Sequence, residues 1–237
     1  MQRKIITTAD GSKTIQIEDW NEQYHSIHGA IQEANHVYIK HGLLFCLEEK
    51  LQLVKSGHNN SEKSPLSILE IGFGTGLNAF LTLLKADVDK VLINYTGVEA
   101  YPISAEESQA LNYGEQLSGE DNNRLFAEMH DLEWESSKPL TPFFTLHKQQ
   151  KLFSQINDKN QFDLIYFDAF GARVQPELWT VSIFKLMFDA LRSEGVLVTY
   201  AAKGSVRRAM QTVGFMVEKL PGPPGKREML RARKHSN

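Results

Sequence analysis

Apolar runs alternate with amphipathic helical stretches after Pro65, and this rhythm constrains the fold more than any other feature of the chain. Five of the runs predict strands: LSILEIG, VLINYTGVE, TPFFTLH, FDLIYFD and GVLVTYA. Strands separated by helices form βαβ units, which build a parallel sheet with helices on both faces. Two further runs, GFMVEKL and KREMLRA, are joined directly by PGPPG, which predicts an antiparallel hairpin. We therefore expect a mostly parallel, seven-stranded α/β sheet that ends in an antiparallel hairpin.

The first sixty residues follow a different pattern, which predicts an extension in front of the sheet domain. KIITTADGSKTIQIED contains two short strand patterns around Asp10-Gly11, a hairpin signal. Apolar residues then recur at helical spacing from Gly29 to Lys55, and the polar, turn-rich GHNNSEKSP predicts a linker. We therefore expect an N-terminal hairpin and helix extension over residues 1–60 and the α/β domain over residues 61–237.

Composition is typical of a soluble globular protein, with 41% hydrophobic and 23% charged residues. No apolar run reaches the roughly 18 residues that a membrane-spanning helix needs, and MQRKIITTADG lacks the apolar region of a secretory signal. The single cysteine, Cys46, cannot form an internal disulfide, which fits a reducing compartment. We expect a cytoplasmic protein without a membrane partner.

The stretch ILEIGFGTGLN joins a strand to a helix, at the turn where doubly wound sheets bind nucleotides. Gly72, Gly74 and Gly76 give G-x-G-x-G, whereas a dinucleotide fingerprint would need glycine in place of Leu77, and a P-loop would need Gly-Lys-Ser/Thr. The acid before the glycines, Glu70, would repel a pyrophosphate and attract a cationic amino acid group. This order resembles motif I of Rossmann-like S-adenosylmethionine methyltransferases; a tight turn without a ligand is the alternative.

A second acid, Glu99, ends the next strand, 25 residues after Gly74. A carboxylate at this place can accept hydrogen bonds from both ribose hydroxyls of a bound nucleoside. Glu70 and Glu99 together fit a non-phosphorylated nucleoside cofactor better than a dinucleotide. Capping of the following helix is the alternative role of Glu99.

A third acid, Asp168, ends the fourth strand and is expected to face the glycine loop across the sheet edge. Enzymes that methylate planar base amines often carry Asp/Asn-Pro-Pro-aromatic here, but this chain has Asp168-Ala169-Phe170-Gly171. The missing Pro-Pro favours an aliphatic amine, which is about 0.1% neutral at pH 7 when its pKa is near 10.4. A carboxylate can orient such an amine and accept or relay its proton, whereas the alternative role of Asp168 is a helix N-cap.

Charge is distributed unevenly along the chain. From Lys203 onward nine basic residues face two acidic ones, a balance of +7, so the first 202 residues carry −10 of a net charge of −3. This asymmetry predicts an anionic partner such as nucleic acid, the alternative being a solvated, solubilising tail. The structured basic clusters KGSVRR and GKRE supply the candidate substrate contacts Lys203, Arg207, Arg208, Lys226 and Arg227.

Two other kinds of chemistry are not indicated. His25-x-x-His28 and the pair His36 and His41 lack a carboxylate or cysteine set at metal-ligand spacing, so we expect no metal. The G-x-S-x-G elbow of a Ser-His-Asp hydrolase does not occur in the sequence.

Several stretches combine into a more specific pattern than any single motif. EIGFGTGLNAF is similar to a cofactor loop, FDAFGARVQPELWT to D-G-F-x-P…P-x-x-W-T, SVRRAMQTVGF to V-R-R-x-L-x-x-x-G-F, and GKREML to G-x-K-R-E-M-L. With YHSIHGAIQEANHVYI in front of them, they resemble the methyltransferase domain of the tRNA 5-methylaminomethyl-2-thiouridine biosynthesis (MnmC) family. The resemblance covers most of the chain and implies a Rossmann-like class I S-adenosylmethionine-dependent fold.

The resemblance also implies an activity. The family methylates the amine of 5-aminomethyl-2-thiouridine at the wobble position of tRNA, giving 5-methylaminomethyl-2-thiouridine. The sequence lacks the G-x-G-x-x-G of a flavin site, so we expect the stand-alone form, without FAD and its oxidase domain. The implied partner is the anticodon region of tRNA and not DNA.

Residue roles follow by the same resemblance. Asp168 matches the family's active-site aspartate, and the cofactor positions are Glu70, Gly72, Gly74, Gly76 and Glu99. Tyr24, Ser26 and Phe170 are expected on the substrate side. Two departures are visible: Ala169 replaces a glycine, and His147-Lys148 stands where many class members carry the Gly-Asp that faces adenine.

Two other functions remain open at this point. One is a small-molecule amine methyltransferase or aminopropyltransferase of the same fold, whose activity would not depend on the basic tail. The other is a non-enzymatic RNA-binding module, whose function would not depend on Asp168.

Overall fold

The N-terminal extension forms a small antiparallel sheet. The computed structural model describes residues 2–55, 64–117, 119 and 121–235. Strands β1 (Arg3–Thr7) and β2 (Lys13–Ile17) pair antiparallel around the turn at Asp10-Gly11, as predicted. After a 3₁₀ turn, a short β3 (Glu22–Gln23) pairs with β2 and completes a three-stranded sheet.

A continuous helical segment follows the small sheet, in agreement with the predicted helix. It consists of α1 (Ala30–Ala34), a π-helical stretch (Asn35–Leu44) and α2 (Phe45–Lys55). The stretch packs closely on the large sheet at Gly42, where an added Cβ would lie 3.0 Å from Val198 Cγ2. The predicted linker lies outside the described residues except for its last two positions, and the predicted boundary at residue 60 stays a prediction.

Within the described residues, the large sheet has eight strands: β4 (Leu66–Ile71), β5 (Ile93–Glu99), β6 (Ser137–Thr141), β7 (Phe144–Gln150), β8 (Phe162–Phe167), β9 (Leu191–Thr199), β10 (Met216–Pro221) and β11 (Glu228–Arg233). Their order in the sheet is β10-β11-β9-β8-β4-β5-β7-β6. The five central strands, β9-β8-β4-β5-β7, are parallel, and the three outer ones are antiparallel to their neighbours. The mostly parallel sheet and the final hairpin are thus confirmed.

The eighth strand is β6, which sequence analysis did not predict. Its polar sequence SKPLT has no apolar run, and it lies at the sheet edge, paired only with β7. An edge strand needs only one hydrogen-bonded neighbour, and a proline is tolerated there because one side of the strand lacks a partner. The edge position explains why a strand without a hydrophobic pattern forms.

Strand β7 also extends further than TPFFTLH predicts, to Gln150. Its last residues, KQQ, are polar, but Lys148 is 1% exposed and its Nζ donates to the carbonyl of His130 at 2.6 Å. The backbone continues its pairing with β5 as far as Glu99 opposite Gln150. The sequence pattern predicted the end of this strand three residues too early, because a charged residue such as Lys148 is expected in an exposed loop and not inside a strand.

Helices cover both faces of the sheet and bury two apolar cores. On one face, the N-terminal helical segment, α3 and α6 cover side chains such as Ile68, Leu164 and Val198; on the other, α7 and α8 cover Ile165 and Leu197. The remaining helices are α3 (Leu77–Asp89), α4 (Ala105–Ala110), α5 (Tyr113–Gln116), α6 (Asn122–Asp131), α7 (Val181–Ala190) and α8 (Gly204–Thr212). No helix among the described residues is long and apolar enough to cross a membrane.

Candidate active site

The carboxyl ends of three neighbouring parallel strands meet at one edge of the sheet and open onto a large cavity. Ile71 of β4 lies in register between Val98 of β5 and Phe167 of β8, so the segments that follow these strands lie side by side. From β4 the sheet continues to β5 and β7 on one side and to β8 and β9 on the other. The strand order therefore reverses at β4, and such a switch point is where parallel sheets bind ligands. The cavity has a volume of about 1160 Å³ and is also lined by the N-terminal extension and the β10–β11 loop.

The loop between β4 and α3 depends on its glycines. Gly72, Gly74 and Gly76 have φ angles of +89°, +50° and +74°, a region that favours glycine. A Cβ on Gly72 would lie 2.7 Å from the Asp168 carbonyl oxygen, and one on Gly74 would lie 2.9 Å from Tyr24 Cδ1. Gly72 and Gly74 line the cavity, whereas Gly76 packs against Met129 of α6. The loop therefore presents bare backbone to the cavity.

Glu99 is held at the cavity wall by two backbone amides. Its Oε2 accepts from the Gly74 amide at 3.0 Å and its Oε1 from the Tyr101 amide at 2.9 Å. A carboxylate has about four acceptor sites, so each oxygen keeps one for a ligand hydroxyl. The capping alternative is wrong, because Ser104 caps α4 in a capping box with Glu107.

The end of β7 contributes an apolar wall that sequence analysis misplaced. His147 and Lys148 lie inside the strand, and His147 lines a different, smaller pocket. The cavity is instead lined by Leu152, Phe153 and Ser154, which follow the true end of the strand. The residues that reach the cavity from this part of the chain are therefore Leu152, Phe153 and Ser154, because β7 is longer than predicted.

Asp168 lies directly after β8 on the cavity wall. Its Oδ2 accepts a hydrogen bond from Asn78 Nδ2 at 2.8 Å. Burial raises the pKa of Asp168 to about 6, against the hydrogen bonds from the Tyr38 hydroxyl and Asn78, which lower it. The N-cap alternative is wrong, because the cap of α7 is Thr180. The carboxylate thus lies in a desolvated position facing the glycine loop.

Glu70 has a different environment from the one its motif suggests. Its side chain is fully buried and lies outside the set of described residues that line the cavity. Its Oε1 accepts from Asn78 Nδ2 at 2.9 Å, and burial raises the pKa of Glu70 well above its usual range. The acid therefore lies behind the glycine loop, beside the Asp168 carboxylate, and a direct contact with a cofactor in the cavity is not supported by this position.

The N-terminal extension packs against the glycine loop at Gly74 and forms part of the cavity wall. Tyr24 and Trp20 make edge-to-face contacts with Phe170, with ring centroids 4.9 Å and 5.6 Å apart. Arg173, three residues after Phe170, donates to the Trp20 carbonyl and to the Glu22 carboxylate, so it links the segment after β8 to the N-terminal extension. Tyr24, Ser26 and Phe170 all line the cavity, as does Trp20.

The β10–β11 loop closes the cavity from the other end of the chain. Lys226 forms an ion pair with Glu33 of α1, and its Nζ lies 3.9 Å from the centroid of the Tyr200 ring. Gly225, with φ +82°, packs against His28, which an added Cβ would approach to 2.3 Å. Lys226 lines the cavity, but its charge is already paired and is not available to a phosphate.

The other basic residues of the tail divide into paired and unpaired groups. Lys219, Arg231 and Arg233 form ion pairs with acidic side chains. Lys234 donates to Asn160 and to the Leu191 carbonyl and has no ion pair among the described residues. The structure gives no ion pair for four further described cations of the tail, which we call the cationic rim: Lys203, Arg207, Arg208 and Arg227. Lys203 and Arg227 line the cavity, while Arg207 and Arg208 lie one turn along α8, outside the lining.

Four residues of the site were missed by sequence analysis: Tyr38, Asn78, Glu33 and Tyr200. Asn78 lies eight residues after Glu70, in the first turn of α3, and a polar residue at that place was the available signal. The other three come from distant segments, and only the packing brings them to Asp168. In the described ranges, no three His, Cys, Asp or Glu side chains are placed to hold a metal ion.

The residues present fit S-adenosylmethionine. Gly72 and Gly74 line the cavity with backbone alone, Glu99 has free acceptor positions, and Leu152 and Phe153 supply an apolar wall. A mostly parallel sheet with this glycine loop at its switch point defines a Rossmann-like S-adenosylmethionine-dependent methyltransferase. A family of S-adenosyl-L-methionine-dependent methyltransferases matches residues 141–235.

Comparison with known proteins narrows the class. A tRNA 5-methylaminomethyl-2-thiouridine biosynthesis bifunctional protein MnmC from Paracidovorax citrulli is 31% identical over 175 residues, 70% of this chain and 27% of that protein. The protein of the same name from Leptospira interrogans is 29% identical over 232 residues, 90% of this chain and 32% of that protein. The chain thus spans about a third or less of these relatives. It is an MnmC-like methyltransferase domain.

Solved structures share the fold. MNMC2 from Aquifex aeolicus superposes with a TM-score of 0.76 at 21% identity, covering 100% of this chain and 71% of that one. Spermidine synthase from Thermotoga maritima superposes with a TM-score of 0.52 at 14% identity, covering 99% of this chain and 73% of that one. These likenesses support the Rossmann-like architecture.

Proposed function

We propose that this chain transfers a methyl group from S-adenosylmethionine to the aminomethyl group of a wobble uridine in tRNA, converting 5-aminomethyl-2-thiouridine to 5-methylaminomethyl-2-thiouridine. The observation that carries the proposal is a desolvated carboxylate, Asp168, facing the glycine loop in a cavity with a cationic rim. The names of the MnmC relatives supply the tRNA nucleoside. The anticodon region of tRNA is the proposed partner.

Cofactor binding is assigned to three parts of the cavity wall. Gly72 and Gly74 allow close approach of the loop backbone, and Glu99 accepts hydrogen bonds from the ribose hydroxyls. Leu152 and Phe153 lie against the adenine. S-adenosylmethionine supplies an electrophilic methyl group, and its transfer to an amine leaves a neutral thioether.

Asp168 prepares the amine. With a pKa of about 6 it is ionised at pH 7 to 8, so it binds the incoming ammonium and orients it. The aromatic cluster of Trp20, Tyr24 and Phe170 excludes water, and desolvation lowers the pKa of an aliphatic amine. Attraction to the carboxylate stabilises the ammonium, so it orients the amine without deprotonating it. Desolvation of the amine and the raised pKa of Asp168 are what favour transfer of the amine proton to the carboxylate.

The cationic rim is the proposed contact with tRNA phosphates. Lys203 and Arg227 lie at the cavity itself, and Arg207 and Arg208 extend the positive surface along α8. Arginine suits bidentate contacts with phosphate oxygens. Phosphate contacts position a nucleic acid without reading its sequence, so specificity for the nucleoside falls to the cavity.

The test uses tRNA from a strain that lacks the wobble methylation and S-adenosylmethionine with an isotope-labelled methyl group. We expect the label in 5-methylaminomethyl-2-thiouridine when the nucleosides are analysed by mass spectrometry, and no label with Asp168→Asn. Free polyamines serve as the second substrate set. Label in polyamines but not in tRNA would replace the proposal by a small-molecule amine transferase.

A further inference from the structure

Two carboxyl groups and one amide form a buried chain behind the cavity wall. Asn78 Nδ2 donates both to Glu70 Oε1 at 2.9 Å and to Asp168 Oδ2 at 2.8 Å. Both amide hydrogens are therefore used, one for each carboxyl group. If the amide were flipped, its oxygen would face Glu70 Oε1 and Asp168 Oδ2, which are both acceptors. The two carboxyl oxygens therefore determine the orientation of the Asn78 amide.

The two carboxyl groups differ in their access to the cavity. Asp168 lines it, whereas Glu70 is 0% exposed. Two negative charges bridged by one amide in a desolvated place repel each other, and the more deeply buried group keeps its proton. Burial accordingly raises the pKa of Glu70 well above its usual range, with the Asp168 charge adding to the effect.

An unpartnered atom supports the neutral form of Glu70. Its Oε2 is buried and has no hydrogen bond of good geometry among the described residues, and the group beside the carboxyl is the Tyr95 hydroxyl. A buried anionic oxygen without a donor is far less favourable than a protonated one. A hydroxyl at this position is itself a donor, and the Tyr95 hydroxyl oxygen beside it can accept its hydrogen bond.

We propose that the acid of the glycine motif, Glu70, is a neutral positioning residue that acts through Asn78 to orient the Asp168 carboxylate, and that it does not neutralise the charge of the cofactor. Asn78 holds Oδ2 of Asp168, whose carboxyl group lines the cavity. This role rests on the proposed function for its link to amine methylation. The arrangement of the three side chains is independent of the substrate.

The test measures the Asp168 titration without tRNA. Asn78→Leu keeps the side-chain volume and removes the donor, so we expect the titration midpoint of Asp168 to rise by about 1 pH unit. The midpoint is followed by NMR of isotope-labelled aspartate carboxyl groups, with Asp168→Asn to assign the signal. Thr82→Val is the matched control, because Thr82 donates to the Asn78 carbonyl from one turn further along α3 and does not touch Asp168. An unchanged midpoint in folded Asn78→Leu would overturn the proposal.

Glu70→Gln provides a second test that does not depend on Asn78. Glutamine mimics a protonated acid and still offers an oxygen to Asn78, so the Asp168 midpoint and the Kd for S-adenosylmethionine stay within about twofold of the parent. A tenfold or greater loss of cofactor affinity, about 1.4 kcal/mol, would show that Glu70 is charged and acts on the cofactor. In the tRNA assay, Asn78→Leu lowers kcat and leaves KM for the cofactor unchanged. If tRNA is not methylated at all, the proposed function fails while the titration and binding results still decide the role of Glu70.

Discussion

Lys226 in the β10–β11 loop forms an ion pair with Glu33 on α1, which lies 193 residues earlier in the chain. Glu33 is 8% exposed in its side chain and also accepts a hydrogen bond from the Ser26 amide at 2.9 Å. The pair therefore connects the N-terminal extension and the last hairpin across the mouth of the cavity. Closure of the cavity therefore depends on contacts between the N-terminal and the C-terminal parts of the chain.

Glu33→Gln is expected to weaken this closure. The substitution leaves the Lys226 ammonium partly buried without its partner, which lowers the free energy of unfolding by about 1–3 kcal/mol. Urea denaturation measures the loss, and methyl transfer falls with it. The control is Glu128→Gln, since the Arg124–Glu128 pair on α6 is exposed and contributes less than about 1 kcal/mol. Equal losses in the two variants would contradict the role given to the pair.

Asp168→Asn is expected to stabilise the protein while abolishing methyl transfer. Burial raises the pKa of Asp168 to about 6 from 3.8, so the folded chain binds this proton more tightly than the unfolded chain. The wild-type protein therefore loses stability as the pH rises from about 4 to 6. The variant is expected to be more stable by about 1–3 kcal/mol at pH 8 and to lose this advantage toward pH 4. Urea denaturation of both proteins at pH 4 and pH 8 measures this difference in the free energy of unfolding. A difference that does not change with pH would contradict a raised pKa of Asp168 in the folded protein.

Gly72→Ala tests the glycine loop. The new Cβ would lie 2.7 Å from the Asp168 carbonyl oxygen, at a φ of +89°, so the loop and the Asp168 segment must separate. We expect destabilisation by about 1–3 kcal/mol and loss of cofactor binding by calorimetry. Gly204→Ala, at the start of α8 where only the flexible end of Arg208 lies near, is expected to bind the cofactor normally. Normal binding by Gly72→Ala would show that close backbone approach is not required.

Neutralising the cationic rim is expected to weaken tRNA binding without affecting the cofactor. For Lys203→Gln combined with Arg227→Gln, the slope of log Kd against log salt concentration falls by about 1.4–1.8, since each phosphate contact contributes about 0.7–0.9. Lys85→Gln combined with Lys159→Gln, whose partners are Asp89 and Asp189, is the control with the same charge change. Fluorescence titrations at several salt concentrations provide the slopes, and unchanged slopes in the rim variant would exclude these contacts.

Local patterns predicted much of the fold and part of the site. Alternating apolar runs predicted the parallel strands, because burial on both faces requires continuous apolar segments. The positions of Gly72, Glu99 and Asp168 followed from the rule that strand ends of a parallel sheet meet at one edge. β6 and the end of β7 were missed, because an edge strand and a buried lysine carry no hydrophobic signal.

Side-chain orientation was harder to predict than position. Glu70 and Glu99 both belong to strand ends, yet Glu70 is fully buried beside Asn78 and Glu99 faces the cavity. Successive strand residues point to opposite faces, and which face is covered depends on segments far away in sequence. The role of each acid therefore depends on what packs over it.

The class of fold, the glycine loop and the strand-end carboxylates could be predicted from the sequence, because they depend on short-range periodicity and on backbone angles that favour glycine. Three features became visible only in the folded chain: Lys226 is paired with Glu33, Lys203 and Arg227 lie at the cavity without an ion pair among the described residues, and Asn78 joins Glu70 to Asp168. Charge pairing, burial and the proton affinity of a carboxyl group depend on which residues surround the group in the folded protein, that is, on its neighbourhood. In this chain that neighbourhood is assembled from both ends of the sequence.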